Sequence, residues 1–192
     1  MTGAETKPEL RARGVRRVLV DQPTIAGRTA ELAAELDDLY GNDVPLMVGV
    51  LNGAVAFMSD LMKQMTVPVE IDFMAISSYG DATRSSGVVR ILKDLDRDIE
   101  GRRVLVVEDI VDSGLTLKYL LDVLQRRNPK DITVVALLTK DKPDAVDVQV
   151  DKIGFRIPDE FVVGYGLDFA GRYRNLPYIA VLDPLLLSDG DA

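Results

Sequence analysis

The sequence predicts an α/β fold, with a mostly parallel, twisted sheet flanked by helices. Short runs of consecutive apolar residues at 46–51, 104–107 and 132–138 are typical of strands buried on both faces of such a sheet. Longer stretches between such runs, including 25–40 and 117–127, have apolar residues at helical spacing. Strands that alternate with helices in this way favour βαβ units and a parallel sheet.

The predicted elements follow one another with turn-forming residues between them. We expect Thr24 to cap the first helix, and Asn128 with Pro129 to stop a later one. The polar, glycine-bounded stretch 80–87 separates two strand patterns and predicts a long hairpin with a mobile tip. The predicted strands are 18–20, 46–51, 67–79, 88–92, 104–107, 132–138 and 178–182, and the predicted helices are 25–40, 55–65 and 117–127.

Length and composition predict a single globular domain over residues 1–192. No apolar run approaches the roughly 18–20 residues that a membrane-spanning helix needs. The first seven residues lack the apolar core of a signal peptide, so the expected compartment is the cytoplasm. Residues 1–17 are polar and of mixed charge, and we expect them to form a loose N-terminal arm.

Charge and missing residue types exclude several classes of function. The net charge of −8 argues against a nucleic-acid binder, which needs a basic surface. The chain has no Cys and no His, which excludes thiolate chemistry, Ser-His catalysis and histidine-ligated metals. A general base must therefore be Asp, Glu, Lys or Tyr. The oxygen ligands that remain suit Mg²⁺.

One run of residues carries most of the functional information. Three carboxylates, Glu108, Asp109 and Asp112, follow the apolar strand in what we predict to be an acidic turn, and the hydroxyl-bearing segment 113–116 then starts a helix. Backbone N–H groups at a helix N-terminus bind phosphate. The neighbouring acids would repel a bare phosphate unless a divalent cation or sugar hydroxyls lay between them. This order of groups predicts a site for a phosphorylated ribose, with a solvated acidic turn as the alternative.

The same run resembles the signature of a known family. Residues 107–114 read Val-Glu-Asp-Ile-Val-Asp-Ser-Gly, similar to the phosphoribosyl pyrophosphate (PRPP) motif of type I phosphoribosyltransferases, above all the hypoxanthine-guanine phosphoribosyltransferases. The resemblance implies the type I phosphoribosyltransferase fold, with a small hood over about 153–185 and a flexible β-hairpin lid. It also implies purine salvage, the Mg²⁺-dependent transfer of phosphoribosyl from PRPP to N9 of a 6-oxopurine, by a homodimer or homotetramer.

Roles for individual residues follow from the motifs that match. Asp112 is the candidate to take the purine N7 proton, and Glu108, Asp109 and Asp168 are the candidate metal ligands. The candidate PRPP and 5′-phosphate residues are Glu108, Asp109, Asp112, Ser113, Gly114, Leu115 and Thr116.

Matching residues elsewhere in the chain complete the implied site. The candidate pyrophosphate residues are Leu51, Asn52, Gly53 and Arg174, the candidate purine residues are Lys140, Phe161, Val162 and Asp168, and the candidate lid residues are Ser78 and Tyr79. Several family members have lysine where this chain has Asn52, which removes a cation from the pyrophosphate side. A lysine at position 140 that donates to the exocyclic oxygen would favour oxopurines over adenine. By residue type alone, Lys140 could equally be a surface charge and Phe161 a core residue.

Two other functions use parts of the same pattern. A regulator or RNA-binding protein on the same fold would have weak or lost catalysis, but the complete acidic run argues against it. A receiver-like signalling domain would also bind Mg²⁺ with paired acids. That class usually has the pair after its first strand, whereas Glu108 and Asp109 lie past the middle of this chain.

Overall fold

The computed structural model of the protein describes residues 14–79, 88–143 and 145–188. The strands in these ranges are β1 (Val15–Val20), β2 (Leu46–Leu51), β3 (Glu70–Tyr79), β4 (Val88–Lys93), β5 (Arg103–Val111), β6 (Asp131–Lys140), β7 (Lys152–Ile157), β8 (Val162–Val163) and β9 (Ile179–Leu182). The helices are α1 (Gln22–Tyr40), α2 (Val55–Gln64), α3 (Leu115–Gln125) and α4 (Pro184–Ser188). None of these helices is long and apolar enough to cross a membrane.

The larger sheet contains six strands in the order β4-β3-β2-β5-β6-β7. All neighbouring strands are parallel except β3 and β4, which are antiparallel. The predicted α/β fold with a mostly parallel sheet is therefore confirmed. Its parallel strands end at the same edge, so the loops that follow β2, β5 and β6 come close together there.

The central strand β5 contributes side chains to two separate cores. Leu105 and Val107 pack with α1 and α2 on one face, whereas Val104 and Val106 pack with α3 on the other face. Successive side chains of a strand point to opposite faces, so a continuous apolar run can serve both cores. This double burial fixes the position of the strand end where the acidic run begins.

The predicted hairpin is formed by β3 and β4. Ser78 pairs with Val89, and Tyr79 pairs with Val88 at the end of the ladder. The predicted mobile tip, residues 80–87, lies outside the described residues.

A second, antiparallel sheet has the order β1-β9-β8. Residues 15–17 belong to its first strand, so the prediction of a loose arm over 1–17 is wrong for these three residues. They are ordered because Val15 pairs with Leu182 and Arg17 pairs with Val181. The rest of the predicted arm, residues 1–13, lies outside the described residues.

The strand β7 was not expected from the sequence, which assigned residues 153–157 to the hood. These residues instead form the edge strand of the larger sheet, parallel to β6. A β carbon on Gly154 would lie 2.4 Å from the backbone oxygen of Leu137, so the absence of a side chain permits this close approach. Of the segment predicted to form the hood, only the strands from Val162 onward, β8 and β9, belong to the small sheet.

The first helix begins earlier than predicted, and its N-cap is Asp21 rather than Thr24. The Asp21 carboxylate accepts a hydrogen bond of 2.9 Å from the Thr24 backbone N–H. Pro23 lies in the first turn, where its missing N–H costs nothing because the first amides of a helix have no intrahelical partner.

Packing of α1 provides a test of the larger core. Leu36 is fully buried, whereas Leu39 on the same helix is 42% exposed. Leu36→Ala should lower the free energy of unfolding by about 2–5 kcal/mol, because it removes apolar contacts and leaves a cavity. Leu39→Ala, the matched control, should change it by less than about 1 kcal/mol. Urea unfolding measures both, and equal effects would contradict the packing described for α1.

Candidate active site

The acid pair lies within a strand, not in the turn that the sequence predicted. Glu108 and Asp109 belong to β5, which continues to Val111 because its last residues pair with β6. Of the predicted acidic turn, only Asp112 follows the strand. Glu108 is only 6% exposed.

Burial determines the protonation of this pair. Loss of hydration, and then the nearby Asp109 charge, hold the pKa of Glu108 well above its usual range. Burial also raises the pKa of Asp109 to about 6, although the Ile110 backbone N–H and the Arg174 charge act in the opposite direction. Acids in this state can donate hydrogen bonds to hydroxyls when protonated, or attract a cation when ionised.

The predicted phosphate seat lies in the loop after β5, and its phosphate-binding role stays a prediction. Gly114 has a left-handed backbone (φ +79°) immediately before α3, and a β carbon there would lie 2.9 Å from the Val146 backbone oxygen. The Ser113 side-chain oxygen accepts a hydrogen bond of 3.4 Å from the Leu115 N–H. This turn is suited to present the first N–H groups of an eleven-residue helix to an anion.

The loop after β2 approaches the acid pair from the neighbouring strand. Its Leu51–Asn52 peptide bond is cis. A β carbon on Gly53 would lie 1.6 Å from an Asp109 carboxylate oxygen, and one on Gly166 would lie 2.1 Å from the Gly53 carbonyl oxygen. Gly53 is therefore enclosed between Asp109 and the backbone of a third loop, which contains Gly166. A larger residue does not fit there.

The third loop, residues 164–174, is held by its own hydrogen bonds. Arg174 pairs with Asp168 at 2.6 Å and donates to the Gly166 carbonyl at 2.6 Å, while the Gly171 N–H donates to Asp168 at 2.8 Å. The Tyr165 hydroxyl anchors the loop to α2 by a 2.8 Å hydrogen bond to Asp60.

One cavity of about 270 Å³ connects these three loops. It brings together most of the predicted phosphate, pyrophosphate and metal residues. Those that line it are Leu51, Asn52, Gly53, Glu108, Asp109, Asp112, Ser113, Gly114, Thr116, Asp168 and Arg174. Among the predicted residues with described side chains, Leu115, Lys140, Phe161 and Val162 do not line it. Leu115 is the first residue of α3 and is 41% exposed.

Lys140, the last residue of β6, lies beside this cavity, and its side chain is only 8% exposed. Its ammonium is 3.1 Å from Asp112 and 3.2 Å from Asp159. Lys142 contacts the same two carboxylates. Lys140 is therefore not a surface charge. The sequence analysis identified neither Lys142 nor Asp159, because neither belongs to a recognisable motif.

Phe161 and Val162 lie at the start of β8. The Phe161 ring is 40% exposed and meets Phe169 edge to face, with ring centroids 5.6 Å apart. Val162 is buried and pairs with Val181 of β9. A partly exposed aromatic ring can stack on a flat ligand. The stacking role of Phe161 remains a prediction.

The predicted metal ligands Glu108, Asp109 and Asp168 all line the cavity. Within the described ranges, no three acidic side chains are arranged to hold a metal ion without further ligands. The donor set nevertheless fits Mg²⁺, which is commonly bound by one or two carboxylates together with water and substrate phosphates. A nearby cation would also favour the ionised forms of the buried Glu108–Asp109 pair.

Comparison with known proteins gives consistent matches. A family model described as "Phosphoribosyl transferase domain" matches residues 17–170. The chain is 51% identical over 170 residues to a hypoxanthine-guanine phosphoribosyltransferase of Bacillus subtilis, covering 88% of this chain and 94% of the relative. It is 52% identical over 185 residues to the protein of that name from Mycobacterium tuberculosis, covering 92% and 90%. A crystal structure of a hypoxanthine phosphoribosyltransferase from Staphylococcus aureus matches with a TM-score of 0.88 and 42% identity, covering 94% of this chain and 100% of that chain.

The raised pKa of Asp109 predicts a pH-dependent stability difference. An unfolded Asp ionises near 3.8, whereas the folded carboxyl holds its proton up to about pH 6. Ionisation therefore favours unfolding as pH rises between these values. In metal-free buffer, Asp109→Asn should be more stable than the wild type at pH 8, by at most about 3 kcal/mol, with the difference vanishing near pH 4.

Urea unfolding at pH 4, 6 and 8 with EDTA measures this difference. Asp38→Asn, which changes an exposed carboxylate on α1, is the control and should show little effect at any of these pH values. A less stable Asp109→Asn protein at pH 8 would mean that the surroundings favour the carboxylate.

Proposed function

This chain belongs to the phosphoribosyltransferase family, in its hypoxanthine-guanine branch, and on that premise we propose that it transfers phosphoribosyl from PRPP to N9 of hypoxanthine or guanine. The products are IMP or GMP and pyrophosphate. The observation that carries the proposal is the cavity in which a buried acid pair meets three loops. PRPP has a phosphate, a diol and a diphosphate, and each loop or acid suits one of these parts.

The ribose 5-phosphate half of PRPP fits the end of β5. Backbone N–H groups of residues 113–116, with the hydroxyls of Ser113 and Thr116, hold the 5′-phosphate at the start of α3. Glu108 and Asp109 bind the two ribose hydroxyls or a metal ion. The left-handed Gly114 allows the backbone to turn around the phosphate.

The diphosphate half fits between the loops after β2 and around Asp168. Backbone groups of residues 51–53 and the Arg174 guanidinium bind it. Arg174 is the one cationic side chain among the described residues that line the cavity, since position 52 carries Asn. Mg²⁺ held by Glu108, Asp109 and Asp168 would neutralise the charge that develops on the departing pyrophosphate.

The purine fits beside the Asp112–Lys140 pair. O6 and N7 are neighbouring acceptors on one edge of a 6-oxopurine when N9 carries the sugar. Lys140 donates to O6, and Asp112 accepts the N7 proton as N9 bonds to C1′ and pyrophosphate leaves. Phe161 stacks on the ring, and the Val162 backbone contacts its edge. The 3.1 Å separation of the Lys140 and Asp112 groups matches two neighbouring atoms on the purine.

Two further features of the proposal concern the lid and assembly. We infer that Ser78 and Tyr79, at the end of the β3–β4 ladder, close over the reacting groups and exclude water. We also infer a homodimer or homotetramer.

The direct test is turnover of four bases. Purified protein with PRPP and Mg²⁺ is assayed by absorbance with hypoxanthine, guanine, xanthine and adenine. Hypoxanthine or guanine should be converted, adenine should not, and EDTA should abolish the reaction. Adenine should be rejected because its exocyclic amino group cannot accept a hydrogen bond from the Lys140 ammonium. Turnover of adenine alone, or of no base despite PRPP binding, would contradict the proposal.

A second test concerns Asp112. Asp112→Asn should lower kcat about 10²–10⁴-fold, because the variant cannot accept the N7 proton. The dissociation constant for PRPP, measured by calorimetry, should change much less. Asp147→Asn, which alters an exposed carboxylate in a nearby loop, is the control. Near wild-type turnover by Asp112→Asn would remove Asp112 from the catalytic role.

A further inference from the structure

Two lysines and two aspartates form a closed charge cluster beside the cavity. Lys140 lies 3.1 Å from Asp112 and 3.2 Å from Asp159. Lys142 lies 2.5 Å from the other Asp112 oxygen and 3.1 Å from Asp159. Each lysine thus bridges both carboxylates, and the cluster has no net charge.

The two lysines differ in burial, and the proposed function assigns a role only to Lys140. The Lys140 side chain is 8% exposed, whereas that of Lys142 is 27% exposed, and the proposed function assigns only Lys140 to the purine. Contact with Asp112 raises the pKa of Lys142, and contact with Lys142 lowers the pKa of Asp159. Both partners are therefore charged at neutral pH, and Lys142 has no part in the reaction as described so far.

Purine binding would change the hydrogen bonding within this cluster. To bind O6, the Lys140 ammonium must shift part of its hydrogen bonding away from two carboxylates. Without another cation, Asp112 and Asp159 would repel each other and hold Lys140 more tightly. Lys142 already contacts both acids, so the cluster keeps a counter-ion when Lys140 turns to the base.

The loop that carries Lys142 is held in place by hydrogen bonds that do not involve the Lys142 side chain. The loop after β6 is already attached to the loop after β5, because the Val146 N–H donates a 2.9 Å hydrogen bond to the Ser113 carbonyl. The Asp141 N–H also donates to the Ile157 carbonyl at 3.2 Å. These backbone bonds hold the loop without the Lys142 ammonium.

We propose that Lys142 is a positioning residue that keeps Asp112 and Asp159 neutralised and thereby releases Lys140 to bind the 6-oxopurine. This inference rests on the proposed function and deepens it. Lys142 does not touch the base. It acts through the two carboxylates that it shares with Lys140.

The test compares single and compensating substitutions. Lys142→Met leaves two carboxylates with one cation, and should lower kcat/KM for hypoxanthine about tenfold while KM for PRPP changes much less. Lys142→Arg should retain most of the activity. Adding Asp159→Asn to Lys142→Met restores neutrality and should recover most of the loss. Lys130→Met is the matched control, since Lys130 is an ion-paired surface lysine at the opposite end of β6, 3.6 Å from Asp43.

Each outcome separates the inference from the function on which it rests. Wild-type activity of Lys142→Met, or a double variant no better than the single one, would overturn the role of Lys142. The same proteins titrated with IMP by calorimetry should give the same order of affinities. A wild-type protein that binds IMP but turns over no base would refute the catalytic proposal alone, and absence of IMP binding would refute both.

Discussion

The burial of two adjacent carboxylates at the end of the central strand constrains the rest of the structure. Glu108 and Asp109 follow four fully buried apolar residues, so the sheet extends directly into the cavity wall. Neither acid has a cationic side chain in direct contact among the residues that the structure describes, and burial favours their neutral forms. The fold accepts this unfavourable arrangement because both cores hold β5 in place. A ligand with hydroxyls, or a metal ion, would supply a direct partner for these two acids.

The surrounding loops are organised by contact with that pair. Asp109 lies against the Cα of Gly53, and Gly53 in turn lies against Gly166. Through these glycines, the loop after β2 packs closely against Asp109 of β5 on one side and against the backbone of the third loop on the other. Tyr165 and Asp60 add a side-chain anchor between the third loop and α2. A side chain at Gly53 would clash directly with Asp109, and one at Gly166 would displace Gly53 and so act on Asp109 indirectly.

Sequence reasoning succeeded where a local pattern has one physical meaning. The apolar run at 104–107 predicted the buried strand, and the run from Val107 to Gly114 predicted the family. The roles assigned to the site residues stay predictions. Sequence reasoning failed where the structure depends on contacts between residues that are far apart in the sequence. Residues 153–157 join the sheet edge only because β6 is available beside them, and Lys142 and Asp159 meet although seventeen positions apart. Nothing in their immediate neighbours marks such pairs, which is why the second pair of the charge cluster emerged only from the structure.

The small sheet joins the first described strand to the last one, and this has a consequence for the order of synthesis. β1 pairs with β9, so its partner is made only after residue 182 has been added. The strands of the larger sheet are complete by residue 157, and can associate while the chain is still growing. The segment that carries Phe161, Asp168 and Arg174 must wait for the final strand. On the ribosome, the larger sheet with Glu108, Asp109 and the turn at Gly114 can therefore form before β9 fixes the segment that carries Phe161.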